Sequence, residues 1–173
     1  MSLQGDVKLM SCISKKDEIM SCGDHSNCID TAIGIAERTC SEKQLKFTSL
    51  RRNILRMIWE GHGPKKAYDL LSELQLTNQS AKPATVYRTL DFLLENGFIH
   101  KVNSLNAFVG CSHPSKHQDC YFLICDSCNE IGEYCDATIT SAIKTISEKN
   151  QFIIKNATLE IAGRCNSCIQ NTD

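Results

Sequence analysis

Two short stretches, "CDSC" at residues 125–128 and "CNSC" at residues 165–168, each place two thiols three positions apart. Thiolate sulfur binds borderline-soft cations, and a closed structural zinc site takes four ligands in a tetrahedron. Each pair follows a short apolar, β-prone run, so each is expected on a turn just past a strand end. Cys125, Cys128, Cys165 and Cys168 are therefore expected to share one zinc ion, with no open coordination position and a structural role. The alternative is two unrelated pairs of buried thiols. Matched spacing after matched strands argues against it.

A second constellation is mixed. In "FIHKVNSLNAFVGC", two β-prone runs flank residues 103–106 and read as a hairpin. A turn at Leu105 and Asn106 would place Ser104 opposite Ala107 and His100 opposite Cys111. Directly opposite residues have Cβ atoms about 4.5–5.5 Å apart, which suits two ligands on one ion. A four-residue loop would move the pair to a diagonal and keep both on one face. Beyond the hairpin, "CSHPSKHQDC" offers His113, His117 and Cys120, and Glu133 lies just after the first cysteine pair. A set of His, Cys, His and Glu drawn from the hairpin, the linker and the following domain would bridge two domains and fix their relative angle. Against this stand ordinary roles: a packing histidine, a cysteine acting as a small hydrophobe, and a solvated glutamate.

The elements that must position these residues fall into two groups. Residues 30–38 read as a helix. Residues 48–60 form a clearer one, capped by Thr48, with Leu50, Ile54, Met57 and Ile58 on one face. Gly61-His-Gly-Pro64 stops it, and residues 67–74 give a third helix with Leu70, Leu71 and Leu74 inward. Pro83 opens a fourth, where its missing N–H costs nothing. Val86, Leu90, Leu93 and Leu94 form its buried stripe, and Gly97 is expected to end it in a left-handed cap. Three helices and a hairpin make a winged helix-turn-helix. The helix opened by Pro83 then meets DNA, through Lys82, Thr85, Tyr87 and Arg88, with Tyr68 at the start of the preceding helix as a further contact. Arginine suits bidentate contact with guanine. Taken alone, Arg88 would read as a solvated surface residue.

After residue 115 the pattern becomes strands at 121–124 and 131–134, a helix at 138–149, and strands at 152–154 and 158–161 turning at Asn156. The helix is expected to bury Ile139, Ala142, Ile143 and Ile146. The expected class is α+β: a mobile extension over 1–28, a winged-helix DNA-binding domain over 29–110, and a small α/β dimerisation and metal-binding domain over 111–173. An open sheet edge makes pairing with a second copy plausible.

Composition agrees. The net charge of −1 hides segregation: residues 43–101 carry 10 basic and 5 acidic side chains, and both flanks are net acidic. A basic block beside acidic ones fits a DNA-binding domain next to one with another task. The chain has eleven cysteines and no apolar leader over residues 1–30, which points to a cytoplasmic protein whose cysteines are thiols. No apolar run is long enough to span a bilayer.

The stretch "AKPATVYRTLDFLLENGFIHKV", with the two cysteine pairs, resembles the ferric uptake regulator (Fur) family of metal-sensing repressors, and within it the zinc uptake regulator branch. The similarity covers about residues 45–168. By position, Cys125, Cys128, Cys165 and Cys168 match the family's structural zinc site. His100, Cys111, His117 and Glu133 match the sensor site of the zinc branch. The resemblance implies a cytoplasmic homodimer carrying one structural and one regulatory zinc per chain. It would bind operators of zinc acquisition genes when zinc is replete. The family's common "TPQR" start reads Thr48-Ser-Leu-Arg51 here, and the spacing from Cys111 to Cys125 is one residue short, so His113 or Cys120 competes with His117. The extension matches nothing in the family; its Cys22, His25 and Cys28 could bind metal, against the commoner reading of a disordered segment. Thiolate in the sensor set favours zinc over ferrous iron or manganese.

Other function classes fit less well. A protein-interaction adaptor would carry zinc only for structure. Within the family, an iron or peroxide sensor is the nearest alternative. A zinc deaminase needs a His-x-Glu element, and none of the five histidines is followed two positions later by glutamate. There is no P-loop or GxSxG element, so an enzyme is not expected.

Overall fold

The computed structural model describes residues 25–61, 63–114, 120–155 and 157–171. The first half is helical. Helix α1 spans His25–Glu42, α2 Ser49–Glu60, α3 Ala67–Thr77 and α4 Pro83–Glu95, followed by strands β1 (Ile99–Val102) and β2 (Ala107–Gly110). Helix α1 is longer than its apolar pattern suggested and begins inside the segment expected to be mobile. Ile29, Ile33, Ala36 and Cys40 recur at helical spacing and are buried in the first core. Thr48 caps α2 by accepting the Arg51 N–H, so this role survives the departure from the family's usual start. The Arg51 guanidinium lies 3.4 Å from the Phe92 ring centroid, a cation–π contact between α2 and α4.

Helices α2, α3 and α4 close around Ile54, Leu55, Ile58, Leu70, Leu90 and Leu93, all essentially inaccessible. Gly97 ends α4 at φ 73°, the left-handed conformation glycine adopts without strain. The chain then enters β1 directly. Lys65 exchanges backbone hydrogen bonds with Phe108 at 2.9 and 2.8 Å, which ties the segment before α3 to the wing.

The second half is a three-stranded sheet in the order β4-β3-β5, with β3 Cys120–Cys125, β4 Ile131–Cys135 and β5 Leu159–Gly163. Strand β4 is antiparallel to β3; β5 is parallel to it and reached through α5, Ala137–Lys149. A short helix α6, Asn166–Gln170, follows β5. A small core of Val102, Phe122 and Ile124, with Leu105, Val109 and Ile131 against it, joins the wing to one face of this sheet.

Four expectations need correction. The hairpin does not turn on two residues: Val102 pairs with Ala107 and His100 with Val109, so residues 103–106 form a four-residue loop with Asn106 at φ 46°. Both registers bury the same face because they differ by two positions, and the hydrophobic pattern does not separate them. Residues 152–154 form no strand in the single chain, and the last strand runs parallel to β3 rather than turning back in a hairpin at Asn156, which is outside the described residues. Helix α5 buries no side chain fully: Ile139 and Ile143 are half-covered, and Ala142 and Ile146 are exposed. Finally, not every cysteine is a thiol. Cys120 and Cys135 are directly opposite on β3 and β4, 4.1 Å apart at Cα, and are joined as a disulfide.

Candidate metal centres and nucleic-acid interface

Parallel pairing of β3 with β5 brings both cysteine pairs to one end of the sheet, because Cys125 and Gly163 are register partners. Past β3 the chain turns tightly: the Asn129 N–H bonds the Cys125 carbonyl at 2.9 Å, with Asn129 at φ 58°. Past β5, Cys165 sits immediately before α6. The four sulfurs of Cys125, Cys128, Cys165 and Cys168 all lie within 4.8 Å of one another, and Cys128 and Cys165 are 3.8 Å apart. A tetrahedron with Zn–S bonds of about 2.3 Å has S···S edges of roughly 3.8 Å, the Cys128–Cys165 separation, so the donor set suits zinc. The N–H groups of Cys165 and Cys128 point at the Cys125 sulfur and lower its pKa to about 6. Cys168, hydrogen-bonded to Cys165 and Cys128 and crowded by Cys125, is pushed up to about 12. Four thiolates this close repel one another, and a dication relieves that repulsion.

The second group lies where the wing meets the sheet. His100 Nε2 is 3.0 Å from Glu133 Oε1, and the Cys111 thiol donates to the same oxygen at 3.6 Å. The Ser112 N–H donates to Glu133 Oε2 at 2.7 Å. Ligand atoms of His100, Cys111 and Glu133 all fall within 4.8 Å of one another. His100 sits on β1, packed edge-on against Phe122 with ring centroids 5.0 Å apart. Cys111 lies just past β2, and its N–H bonds the Phe98 carbonyl at 3.0 Å. Glu133 comes from β4 of the three-stranded sheet. Burial raises the Glu133 pKa, but the hydrogen bond and charge of His100 and the Ser112 N–H outweigh it, so the carboxyl ends below its usual range. Cys111 is raised, by burial first and then by the Glu133 charge. The four-residue wing loop thus gives the diagonal arrangement, and the ligand atoms still converge. His117 is outside the described residues; His113 is described, as is Cys120. Of the N-terminal candidates, Cys22 lies outside the described residues, as does the His25 side chain. Cys28 is half-buried on α1 and disulfide-bonded, which withdraws its sulfur as a ligand in this state.

The side chains expected to meet DNA share one property. Lys82, Thr85, Tyr87 and Arg88 are exposed at the start of α4, while Val86, Thr89 and Leu90 between them are buried. Tyr68, at the start of α3, is 75% exposed. Tyr87 is 55% exposed, so the aromatic and the basic side chains of this surface are all open to a partner.

Sequence reasoning missed Glu160. Its carboxylate, on β5, accepts the N–H groups of Asn103 and Ser104 in the wing loop at 2.6 and 2.9 Å. Glu133 and Glu160 thus each join the sheet to the wing or the segment just past it. Its sequence neighbours alternate as an ordinary strand and give no signal of this.

A winged helix with an exposed fourth helix, a metal-binding group where the wing meets a small sheet, and a four-cysteine group at the end of that sheet define a metal-responsive DNA-binding regulator. The chain belongs to the ferric uptake regulator family, whose model matches residues 42–162. It is 38% identical over 138 residues to the zinc uptake regulation protein of Escherichia coli (strain K12), covering 78% of this chain and 80% of the relative. A zinc uptake regulator solved with zinc and DNA superposes with a TM-score of 0.78 at 34% identity, over 82% of this chain and 95% of the other. A crystal structure of holo XcZur gives 0.75 at 40% identity, over 82% and 99%.

Proposed function

We propose that the protein is a zinc-responsive transcriptional repressor that binds operators of zinc uptake genes as a zinc-loaded homodimer in the cytoplasm. The observation that carries this reading is the His100–Cys111–Glu133 cluster. Two of its members belong to the wing side and one to the sheet domain, so an ion held there fixes one against the other. His117 completes the regulatory set, and the four-cysteine cluster holds a second, structural zinc in each chain. Zinc at the regulatory set selects the domain angle at which two recognition helices meet successive DNA half-sites. The thiolate of Cys111 sets the metal preference, since iron- or manganese-selective sites manage with imidazole and carboxylate.

Dimerisation is supported by unpartnered apolar surface in the second domain. Ile146 on α5 is 62% exposed, and Phe152 and Ile153 are 67% and 85% exposed. A second copy covering this surface accounts both for the stripe on α5 and for a β-prone segment without a strand partner. No helix among the described residues is long and apolar enough to cross a membrane. The test is an operator-binding titration at buffered free zinc, with metal content measured by mass in parallel. The reading predicts a steep rise in affinity as a second zinc per chain is loaded. Operator binding that ignores free zinc would leave a sensor of another signal, and no operator binding at all would leave the adaptor.

A further inference from the structure

Glu133 faces a further group of side chains that regulation by His100 and Cys111 leaves unused. One nitrogen of His113, the sulfurs of Cys120 and Cys135, and a Glu133 carboxylate oxygen all lie within 4.8 Å of one another. The topology explains the convergence. Cys120 and Cys135 are register partners, and Glu133 and Phe122 are the next inward pair along the same two strands. All four therefore share the sheet face that meets the wing. His113 reaches the same place from the linker just past Cys111. Its Nδ1 is buried and has no hydrogen-bond partner among the described residues. A buried ring nitrogen without a partner is costly, and a bound ion is one way to relieve that cost.

We propose that His113, Cys120 and Cys135 form a second metal position beside the regulatory one in the dithiol state, with Glu133 between the two. The donor set is two thiolates, an imidazole and a carboxylate. This is zinc-class chemistry, and the set also suits other thiophilic cations such as cobalt(II) as a probe. It rests on the proposed regulatory reading only in sharing Glu133. The disulfide and the metal are exclusive uses of the same two sulfurs. A small thiol opens the disulfide in two exchange steps: the first forms a mixed disulfide, and a second thiol displaces the remaining cysteine. Two small thiols are oxidised to one disulfide, and Cys120 and Cys135 take up the two electrons and two protons. Metal binding then releases both protons. Occupancy of this position therefore follows the thiol–disulfide balance, while the His100–Cys111 pair stays outside that chemistry.

The test counts ions on the full chain, reduced with a phosphine and loaded with zinc under anaerobic conditions, by native mass spectrometry. Cobalt(II) loading reports thiolate ligation by its sulfur-to-metal absorption. The reduced wild type is expected to hold one ion per chain more than Cys120→Ser/Cys135→Ser and than His113→Ala, with weaker sulfur-to-cobalt absorption in the double variant. The diamide-oxidised wild type should lose the same ion. Cys111→Ser should keep it and lose a different one, so that combining it with the double variant removes both. Circular dichroism confirms folding, and His113→Ala leaves the sheet untouched. Equal ion counts and equal cobalt spectra for reduced wild type and the double variant overturn the proposal. It also falls if His113→Ala removes the ion that Cys111→Ser removes, since His113 then serves the regulatory set. If Cys111→Ser loses no ion while the double variant does, the regulatory reading fails and this position stands.

Discussion

Cys111 separates the two proposed zinc roles at the level of one atom. Its sulfur lies 3.6 Å from Glu133 and belongs to the wing-side cluster, not to the four-cysteine group. Cys111→Ser puts a hydroxyl there, which stays protonated near neutral pH and is a poor zinc ligand. The variant is expected to keep its structural zinc, fold and dimer, and to lose the zinc-dependent rise in operator affinity. Allosteric coupling of about 1–3 kcal/mol makes that rise roughly 5–150-fold. His100→Ala should match it, and the double variant should be no worse than either, because both break one site. Wild-type zinc activation in Cys111→Ser would falsify the assignment. Arg88 is tested separately. Exposed on α4 and remote from both metal groups in sequence, Arg88→Ala should cost about 1–3 kcal/mol against the specific operator, as for one bidentate base contact. Lys82→Ala should instead weaken all sequences alike and flatten the salt dependence. Fluorescence anisotropy over a salt series distinguishes the two.

Glu160 ties strand β5 to the wing loop. Its carboxylate takes two backbone N–H groups, from Asn103 and Ser104. Burial raises its pKa, but the bonds from Ser104 and Asn103 prevail and hold it below the usual carboxylate range. The sign follows: a depressed carboxyl contributes its stabilisation above its unfolded pKa and loses it as pH falls through the folded one. Glu160→Ala should therefore loosen the wing at neutral pH, seen as faster exchange of the Asn103 and Ser104 amides. Wild type should approach the variant only in acid, below the ordinary carboxylate range. Equal exchange rates at neutral pH would show that the contact does not hold in solution. This element also marks the limit of what the sequence discloses. Val86, Leu90 and Leu93 announced α4 because one buried face at helical period is a strong local signal, and paired cysteines announced their group because thiols at that spacing have few other uses. The wing register was not legible, since a shift of two preserves every inward residue. Nor was the Glu160 contact, because it depends on where two distant elements dock. The Cys120–Cys135 opposition required the β3–β4 register, which no pattern in either strand fixes alone.

At the scale of the molecule, the second domain is too small and too exposed to explain itself as a monomer. Its own core holds few side chains, and α5 buries none fully. In the proposed reading two devices compensate: an ion at the four-cysteine group and a second copy over the apolar face. Structural zinc is worth on the order of 10–16 kcal/mol in small peptides, comparable to a typical domain's whole stability. Cys125→Ser or Cys168→Ser should thus lose one zinc, lower the melting temperature and weaken the dimer; unchanged melting and dimer mass would sink that role. The second device can be tested without disturbing the fold. Ile153 is 85% exposed in the single chain, so Ile153→Glu removes no internal packing. Surface substitutions of this kind usually shift stability by no more than about 0.5 kcal/mol. If a second copy covers Ile153, the same change buries a charge against apolar side chains at an interface with two-fold symmetry, once from each protomer. The expected outcome is a folded chain whose helical content and metal count match wild type, but which sediments as a monomer at micromolar concentration. Operator binding should fall with it, because one recognition helix reaches one half-site. A variant that still sediments as a dimer would move the interface elsewhere and leave the exposure of Ile146, Phe152 and Ile153 to be explained by another partner.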